Sequence, residues 1–373
     1  MAKPAYKSSR KDSRKSRPPR KNGAGRAGEK INSKLATKNA GQADAQKRSA
    51  AKPSLLEQIP PRIARNGDRM PETTGMVLRA EPNGDYALID SGNGEKLERY
   101  GPIVIRRPEG QAIWLPSASA DMWENADAVF SGNTDEEGQG RWNYPKGDLA
   151  ETWPLAFDGL PYHGRFTSFR HTGVFPEQAV HWRSMDQVIR AARKKGRSVR
   201  MLNLFGYTGL ASLVAAKAGA EVTHVDASKK AVGWAQENQA LAKMQDAPIR
   251  WICDDAVKFC AREKRRGNIY DIILLDPPAY GRGPKGEVWQ LFDHLPYMLD
   301  LVRDLQSTNP LLTILTSYAI RASHFALHEL VQDVFAGFDG RLESGELVLQ
   351  QELGGRSLST SMFSRIIAKG AEL

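Results

Sequence analysis

The chain is short of thiols and has no long apolar run. Cys253 and Cys260 are its only cysteines, too few for a disulfide framework or a four-thiolate zinc site. No stretch of eighteen consecutive apolar residues occurs, so no membrane-spanning helix is expected. The N-terminus lacks the apolar core of a secretory signal, which points to a cytoplasmic protein without membrane attachment. Metal ligands are sparse as well. His324 and His328 are spaced to share one face of a helix, but with no further ligand nearby they read as a surface pair, and no metal is expected.

Acidic and aromatic residues are what the first segment lacks. Met1–Lys52 holds 16 Lys and Arg against three acids, a net of +13, while the rest of the chain holds 37 bases and 40 acids. The overall charge of +10 therefore comes entirely from this segment, whose sole aromatic is Tyr6. Such a stretch cannot bury enough surface to offset the entropy of ordering, so residues 1–60 read as a disordered basic tail. Flexible Lys and Arg neutralise phosphates without reading sequence, which makes RNA an expected partner. A solubilising extension and an Arg- and Ser-rich transit segment are the other readings.

Beyond the tail the composition is that of a folded protein. Residues 70–165 alternate short apolar runs with turn signals, including Asn83-Gly84 and Asn93-Gly94, and read as a β-rich accessory region with hairpins. A polar turn, GNTDEEGQG, separates aromatic-rich strand candidates, and the tryptophans of this part are expected to pack it. From about residue 185 the pattern changes. Apolar runs SVRMLNLF, AEVTHVD, IRWIC, YDIILLD and LLTILTS alternate with helical stretches at 209–219, 229–244, 255–266 and 287–305. This alternation argues for an α/β fold with a parallel, doubly wound sheet. Two last strand candidates, LESGELVLQQ and SMFSRIIA, are joined by too short a turn to be parallel.

In such sheets, ligands bind outside the carboxyl ends of the strands. The first strand ends at Asn203 and Leu204 and runs into Phe205, Gly206, Tyr207, Thr208 and Gly209. Gly206 and Gly209 let the backbone turn and approach a ligand. Asp226 ends the second strand, where a carboxylate can accept from both ribose hydroxyls of an adenosine cofactor. A dinucleotide site wants a third glycine in G-x-G-x-x-G for its pyrophosphate. Tyr207 and Thr208 between only two glycines suit S-adenosylmethionine instead. After the third strand, Asp254 or Asp255 could accept from an adenine amine while the N–H of Ala256 donates to the ring; an Asp here is equally suited to cap a helix. The fourth strand ends in Asp276-Pro277-Pro278-Ala279-Tyr280. The prolines fix a turn without donors, so the Asp276 carboxylate and the Pro277 carbonyl face outward as acceptors. Tyr280 offers a ring on which a flipped base can stack. That combination suits methylation of a base nitrogen. The following loop, GRGPKGE, reads as a mobile basic loop or a plain solvated one, and Tyr318 and Arg321 as substrate contacts.

The run LNLFGYTG, Asp226, DDA at 254–256 and DPPAYGRG at 276–283 together resemble the class I S-adenosylmethionine-dependent methyltransferases. They are more closely similar to the large-subunit ribosomal RNA methyltransferases I and K and their relatives. The upstream HTGVFPEQAVHW matches a Thr-Gly-Φ-Φ-x-x-Gln segment of that group, which implies that Thr172, Phe175 and Gln178 line the cofactor pocket. The resemblance covers roughly residues 70–373. It implies a Rossmann-like domain over 166–373 with a mostly parallel seven-stranded sheet. By the same likeness the cofactor is S-adenosylmethionine, held also by Asn203, Phe205, Thr208 and Ala256. The acceptor is large-subunit ribosomal RNA or a ribosomal particle, with Asp276, Pro277 and Tyr280 as the catalytic set. Relatives that methylate cytosine C5 carry a Cys after the fifth strand. Here that stretch is Thr316-Ser317-Tyr318-Ala319, so nitrogen is the expected acceptor atom. The alternatives are methylation of a ribosomal or other protein, and an inactive RNA-binding or assembly protein.

Deleting residues 1–52 is expected to weaken RNA binding at low salt and to flatten the dependence of log K on log salt concentration. Filter binding across a salt series checks this; an unchanged slope would exclude the tail as an RNA-binding arm.

Overall fold

The computed structural model describes residues 59–62, 64–132, 140–318 and 322–373. Residues 1–58 of the basic tail, the polar turn at 133–139 and Arg321 lie outside them.

The first strand, β1 (Glu72–Ala80), pairs in parallel with a strand near the C-terminus. It is therefore the edge of the large sheet and not part of the accessory region, which the local alternation had suggested. Periodicity cannot show which sheet a strand joins, and β1 covers an edge that would otherwise lie open. The accessory sheet begins after it: β2 (Tyr86–Gly92), β3 (Glu95–Tyr100), β4 (Ile103–Pro108), β5 (Ala128–Gly132) and β6 (Gly140–Asn143), in that spatial order. Asn93 and Gly94, at φ of 53° and 79°, form the expected hairpin turn between β2 and β3. Asn83-Gly84 does not make a hairpin, because β1 and β2 belong to different sheets; its Asn side chain accepts from the N–H groups of Asp85 and Tyr86 to start β2. A separate hairpin, β7 (Thr152–Phe157) and β8 (Leu160–Arg165), packs on the helix Lys229–Leu241.

The helix Ala179–Lys194 then leads into the large sheet: β9 (Arg200–Leu204), β10 (Glu221–Asp226), β11 (Ile249–Cys253) and β12 (Ile272–Leu275). A small hairpin of β13 (Tyr280–Arg282) and β14 (Val288–Gln290) follows, then β15 (Leu312–Tyr318), β16 (Gly340–Gln350) and β17 (Ser357–Ala368). Among the described residues the sheet has eight strands in the order β1-β16-β17-β15-β12-β9-β10-β11. Five of them, β9 to β12 and β15, form the expected parallel block. The strands β16 and β17 form the expected antiparallel pair, and β17 inserts beside β15. The central strands are mostly apolar because both faces are covered; Met201, Leu202 and Leu204 of β9 and Ile272 to Leu275 of β12 are all buried. The chain leaves β9 toward β10 and β11 and returns to β12 on the other side of β9. That reversal opens a crevice between the ends of β9 and β12.

The accessory sheet is tied to the segment before this block through Arg107, itself held in a buried ion pair. Arg107 on β4 meets Glu98 on β3 at 2.5 Å, both are almost fully buried, and Tyr86 and Tyr100 donate to the same carboxylate. Arg107 also donates to the carbonyl of Arg170 at 2.7 Å, fixing the segment that enters the crevice. A second link runs through Gln351, whose amide bonds Asp90 and Ser91 of β2. Among the described residues no helix is long and apolar enough to cross a membrane.

Arg107→Ala leaves the Glu98 charge buried and unpaired, and is expected to cost about 3–5 kcal/mol in urea unfolding. Burial alone would raise the Glu98 carboxyl, but Arg107 outweighs it and holds the pKa at about 2, against 4.5 for a free Glu. The pair's contribution should thus be complete above pH 4.5 and fade as pH falls toward 2. Wild type and Glu98→Gln unfolding curves with the same acid dependence would contradict this.

Candidate active site

The crevice starts with an unusual backbone. Phe205 and Tyr207, on either side of Gly206, hold left-handed φ values of 57° and 51°. Each costs of the order of 1–3 kcal/mol, and such strain gathers where geometry serves a site. Gly206 and Gly209 each have a packing reason beside the ligand approach expected of them. Gly206 lines a recess of the site, but a Cβ on it would stand 2.4 Å from the ring of His224, so the buried imidazole requires its absence. His224 is kept neutral by burial, its pKa pushed down to about 3, and it shares a hydrogen bond with Ser212, which accepts from Asn203. Gly209, at φ 79°, starts the helix Leu210–Ala218, where a Cβ would meet Ala235 at 2.7 Å and Trp251 at 2.9 Å. Gly209 is not among the cavity walls.

A cleft of about 400 Å³ lies over the strand ends. Asp226 faces it from β10, its carboxylate accepting from the N–H of Tyr207 at 2.9 Å and of Ser228 at 2.8 Å. Burial nonetheless raises its pKa, with those two N–H groups pulling the other way. Asp255 and Ala256 form the next part of the wall. Asp255 caps the helix Ala256–Arg266 by accepting from Lys258, so the capping alternative holds for it while it still borders the cleft. Asp254 does not border the cleft: it is paired with Arg262, in the second turn of the same helix, which draws the side chain away. Phe205 stacks obliquely on Trp289, 4.9 Å between centroids, and Tyr207 lies 5.6 Å from Phe175. Phe175 and Gln178 line both the cleft and the small recess beside it, where Asn203, Gly206 and Thr208 also sit. Thr172 does not line either one. Its side chain is fully buried near Tyr100, because Gly173, at φ 98°, turns the chain between it and the cavity.

At the end of β12, Asp276 is reached by the amide of Gln178 at 3.1 Å, and Gln178 is held from behind by the hydroxyl of Thr316. Asp276 is half-buried in the cleft wall, and its desolvation, with the neighbouring Glu177, pushes its pKa up to about 7 against the opposing Gln178 bond. Two carbonyls of the turn are already used, since Pro278 accepts from the Trp289 indole at 2.6 Å and Ala279 from the N–H of Leu291 at 2.9 Å. That leaves the carbonyl of Pro277 beside Asp276 as a free acceptor among the described residues. Tyr280 is 40 % exposed at the cleft mouth, with the Arg282 guanidinium 6.0 Å from its ring. The segment after it is no open loop: β13 and β14 pair, and Glu287 folds in to accept from Lys258 and the N–H of Lys285. The expected helix over 287–305 consequently begins only at Leu291.

The ionisable groups of the cleft are Glu177, Asp226, Asp255 and Asp276 with Arg282, and a His171 that burial keeps neutral. Four acids against one guanidinium suit a cation bearing an adenosine and disfavour a pyrophosphate, so the donor set fits S-adenosylmethionine. Neither thiol serves this site. Cys253 is exposed outside the cleft and Cys260 is buried in a helix, and burial raises both pKa values away from the thiolate form. The expected surface pair is half wrong: His328 is fully buried and bonded to Ser344 and Glu72. Among the described residues no cluster able to hold a metal occurs. Sequence reasoning passed over Tyr207, Glu177 and Trp289 as wall residues. Tyr207 and Glu177 stand inside quoted motifs and had a signal; Trp289 is brought in only by the β13–β14 hairpin.

Residues 134–343 match the family model for S-adenosylmethionine-dependent methyltransferases. A solved S-adenosylmethionine-dependent methyltransferase from Agrobacterium tumefaciens is 54% identical, over 82% of this chain and 98% of that one, with a TM-score of 0.79. Curated relatives include the ribosomal RNA large subunit methyltransferases K/L of Shewanella baltica, 31% identical over 239 residues, and Pseudoalteromonas atlantica, 31% identical over 248. Each match covers 61% of this chain, but 30% and 34% of those proteins, so the chain spans about a third of their length.

Gly206→Ala forces a methyl group against His224 and is expected to cost about 1–3 kcal/mol of stability. It should also weaken S-adenosylmethionine binding, measured by calorimetry. Unchanged affinity and stability would show that the recess tolerates the added atom.

Proposed function

Because the chain belongs to the S-adenosylmethionine-dependent methyltransferases, we propose that it methylates a base nitrogen in large-subunit ribosomal RNA. The cofactor, when bound, supplies an electrophilic methyl group on a sulfonium. Asp226 accepts from the ribose hydroxyls, and Asp255 with the N–H of Ala256 meets the adenine. Phe175, Tyr207 and Phe205 wall the cleft and exclude water. Asp276 and the Pro277 carbonyl accept from the N–H of the target base and turn its lone pair into the cleft. A carboxylate with a pKa of about 7 takes the proton as the new N–C bond forms. Tyr280 stacks on the base.

One observation carries this reading: a desolvated acid, a free carbonyl and an exposed aromatic ring share the end of β12, facing the cofactor cleft. The likeness to named ribosomal RNA large subunit methyltransferases supports RNA as the acceptor, and so does the basic tail.

Incubating the protein with methyl-labelled S-adenosylmethionine and unmodified ribosomal subunits should place label in large-subunit RNA, at a nitrogen identified by nucleoside analysis. Label in ribosomal protein would move the acceptor to protein, and label on a base carbon would exclude the Asp276 role.

Asp276→Ala is expected to abolish turnover while cofactor affinity stays within about twofold. In wild type, the acting form is the carboxylate, so kcat/KM for RNA should rise with pH through about 7 and level off above it. A flat profile from pH 5 to 9, or equal loss of turnover and binding in the variant, would contradict the assignment.

A further inference from the structure

A second cavity, of about 230 Å³, adjoins the cleft. It lies between the accessory strands β3 and β4 and residues 170–177 of the chain entering the crevice. His171, Phe175, Glu177 and Tyr318 line both spaces, so the two adjoin.

Three cations line this second cavity, and two already have counter-charges. Lys96 pairs with Glu109 at 3.2 Å, and Arg107 with Glu98 at 2.5 Å. Arg170 is different. It is 8% exposed, and its guanidinium donates to the Tyr318 hydroxyl at 2.7 Å, with the ring centroid 5.8 Å away. Among the described residues, no carboxylate lies within ion-pair distance of it. A guanidinium so enclosed and uncompensated is costly unless an anion joins it. The neighbouring His171 senses the same field: burial, then Arg107, Arg170 and Lys96, push its pKa down to about 3. The imidazole stays neutral, and the cavity's three cations face three carboxylates, Glu98, Glu109 and Glu177, none of them within ion-pair distance of Arg170.

We propose that this cavity is a phosphate subsite, in which Arg170 binds a backbone phosphate of the acceptor strand next to the target nucleotide. The proposal rests on the reading of a nucleic-acid acceptor. Arginine presents paired N–H groups that match phosphate oxygens. A phosphate held here would set the register of the strand, leaving the adjoining base to enter the cleft beside Asp276. The accessory sheet thereby becomes one half of the substrate site.

The test uses the full chain saturated with S-adenosylhomocysteine. Each of the four nucleoside 5′-monophosphates, the four nucleosides and inorganic phosphate is titrated by calorimetry or NMR. At least one monophosphate should bind about tenfold or more tightly than its nucleoside, as one charge-assisted contact allows. Arg170→Gln should erase that preference without changing S-adenosylhomocysteine affinity, which reports an intact fold. Arg170→Lys should restore part of it, and Tyr318→Phe should retain it, separating loss of charge from loss of the Tyr318 contact. In methylation assays, Arg170→Gln should raise the KM for RNA about tenfold and leave that for S-adenosylmethionine unchanged. Equal binding of nucleoside and monophosphate, a preference that survives Arg170→Gln, or inorganic phosphate binding as tightly as the nucleotides would each overturn the subsite. RNA that accepts label without any phosphate preference sinks the subsite alone. An Arg170-dependent preference with no label in RNA sinks the acceptor assignment and leaves the phosphate site standing.

Discussion

The register of β9 against its two neighbours is the constraint on which the site depends. Leu204 stands opposite Val225 of β10 and Leu275 of β12. Three parallel strands therefore end at one level, and the next residues, Phe205, Asp226 and Asp276, emerge together at the point where strand order reverses. A parallel ladder cannot slip by one residue without turning each buried side chain to the opposite face, and here both faces are filled. The position of Asp226 relative to Asp276 is thus set by the packing of β9, with no direct contact between the two acids. The strain at Phe205 and Tyr207 is affordable for the same reason: the buried ladder on one side and the helix Leu210–Ala218 on the other over-determine the turn.

The second organising element is the segment from Arg170 to Gln178. Its start is pinned by Arg107 from the accessory sheet, and its end by the Gln178 bond to Asp276. Glu98 fixes the Arg107 guanidinium from within the accessory sheet, and the same guanidinium then holds the Arg170 carbonyl. The segment is then a rigid brace and not a loose linker. It carries Phe175 into the cofactor cleft, Glu177 beside Asp276 and Arg170 into the second cavity, so one stretch of chain addresses every part of the site. This explains why the accessory sheet sits beside the cleft mouth, and why a half-buried acid such as Asp276 can be held at a pKa of about 7.

Much of this architecture was legible in the sequence, for physical reasons that differ by residue. Asp276 could be read because it closes an apolar run, and Asp226 because it ends the strand after the Gly206 turn. Gln178 and Phe175 came from a motif and line the cleft and its recess. Thr172 shares the motif but points away, since Gly173 reverses the chain after it, and spacing carries no record of side-chain direction. Asp254 and Asp255 were equivalent in the sequence; a salt bridge to Arg262 and a helix cap separated them. The packing reason for Gly206 was not legible, because its neighbour His224 is eighteen residues away in sequence and meets it only through the β9–β10 pairing. The placement of β1 at the edge of the large sheet, and the hairpin that delivers Trp289, rest on long-range pairing that local patterns do not contain.

The most direct test of how cofactor and acceptor share the crevice is a crystal structure of the protein with S-adenosylhomocysteine. Density should show the ribose hydroxyls on Asp226, the adenine against Asp255 and Ala256, and the sulfur turned toward Asp276 and Pro277. An adenosine seated away from Asp226, or a sulfur facing away from the end of β12, would contradict the division of labour between the two acids.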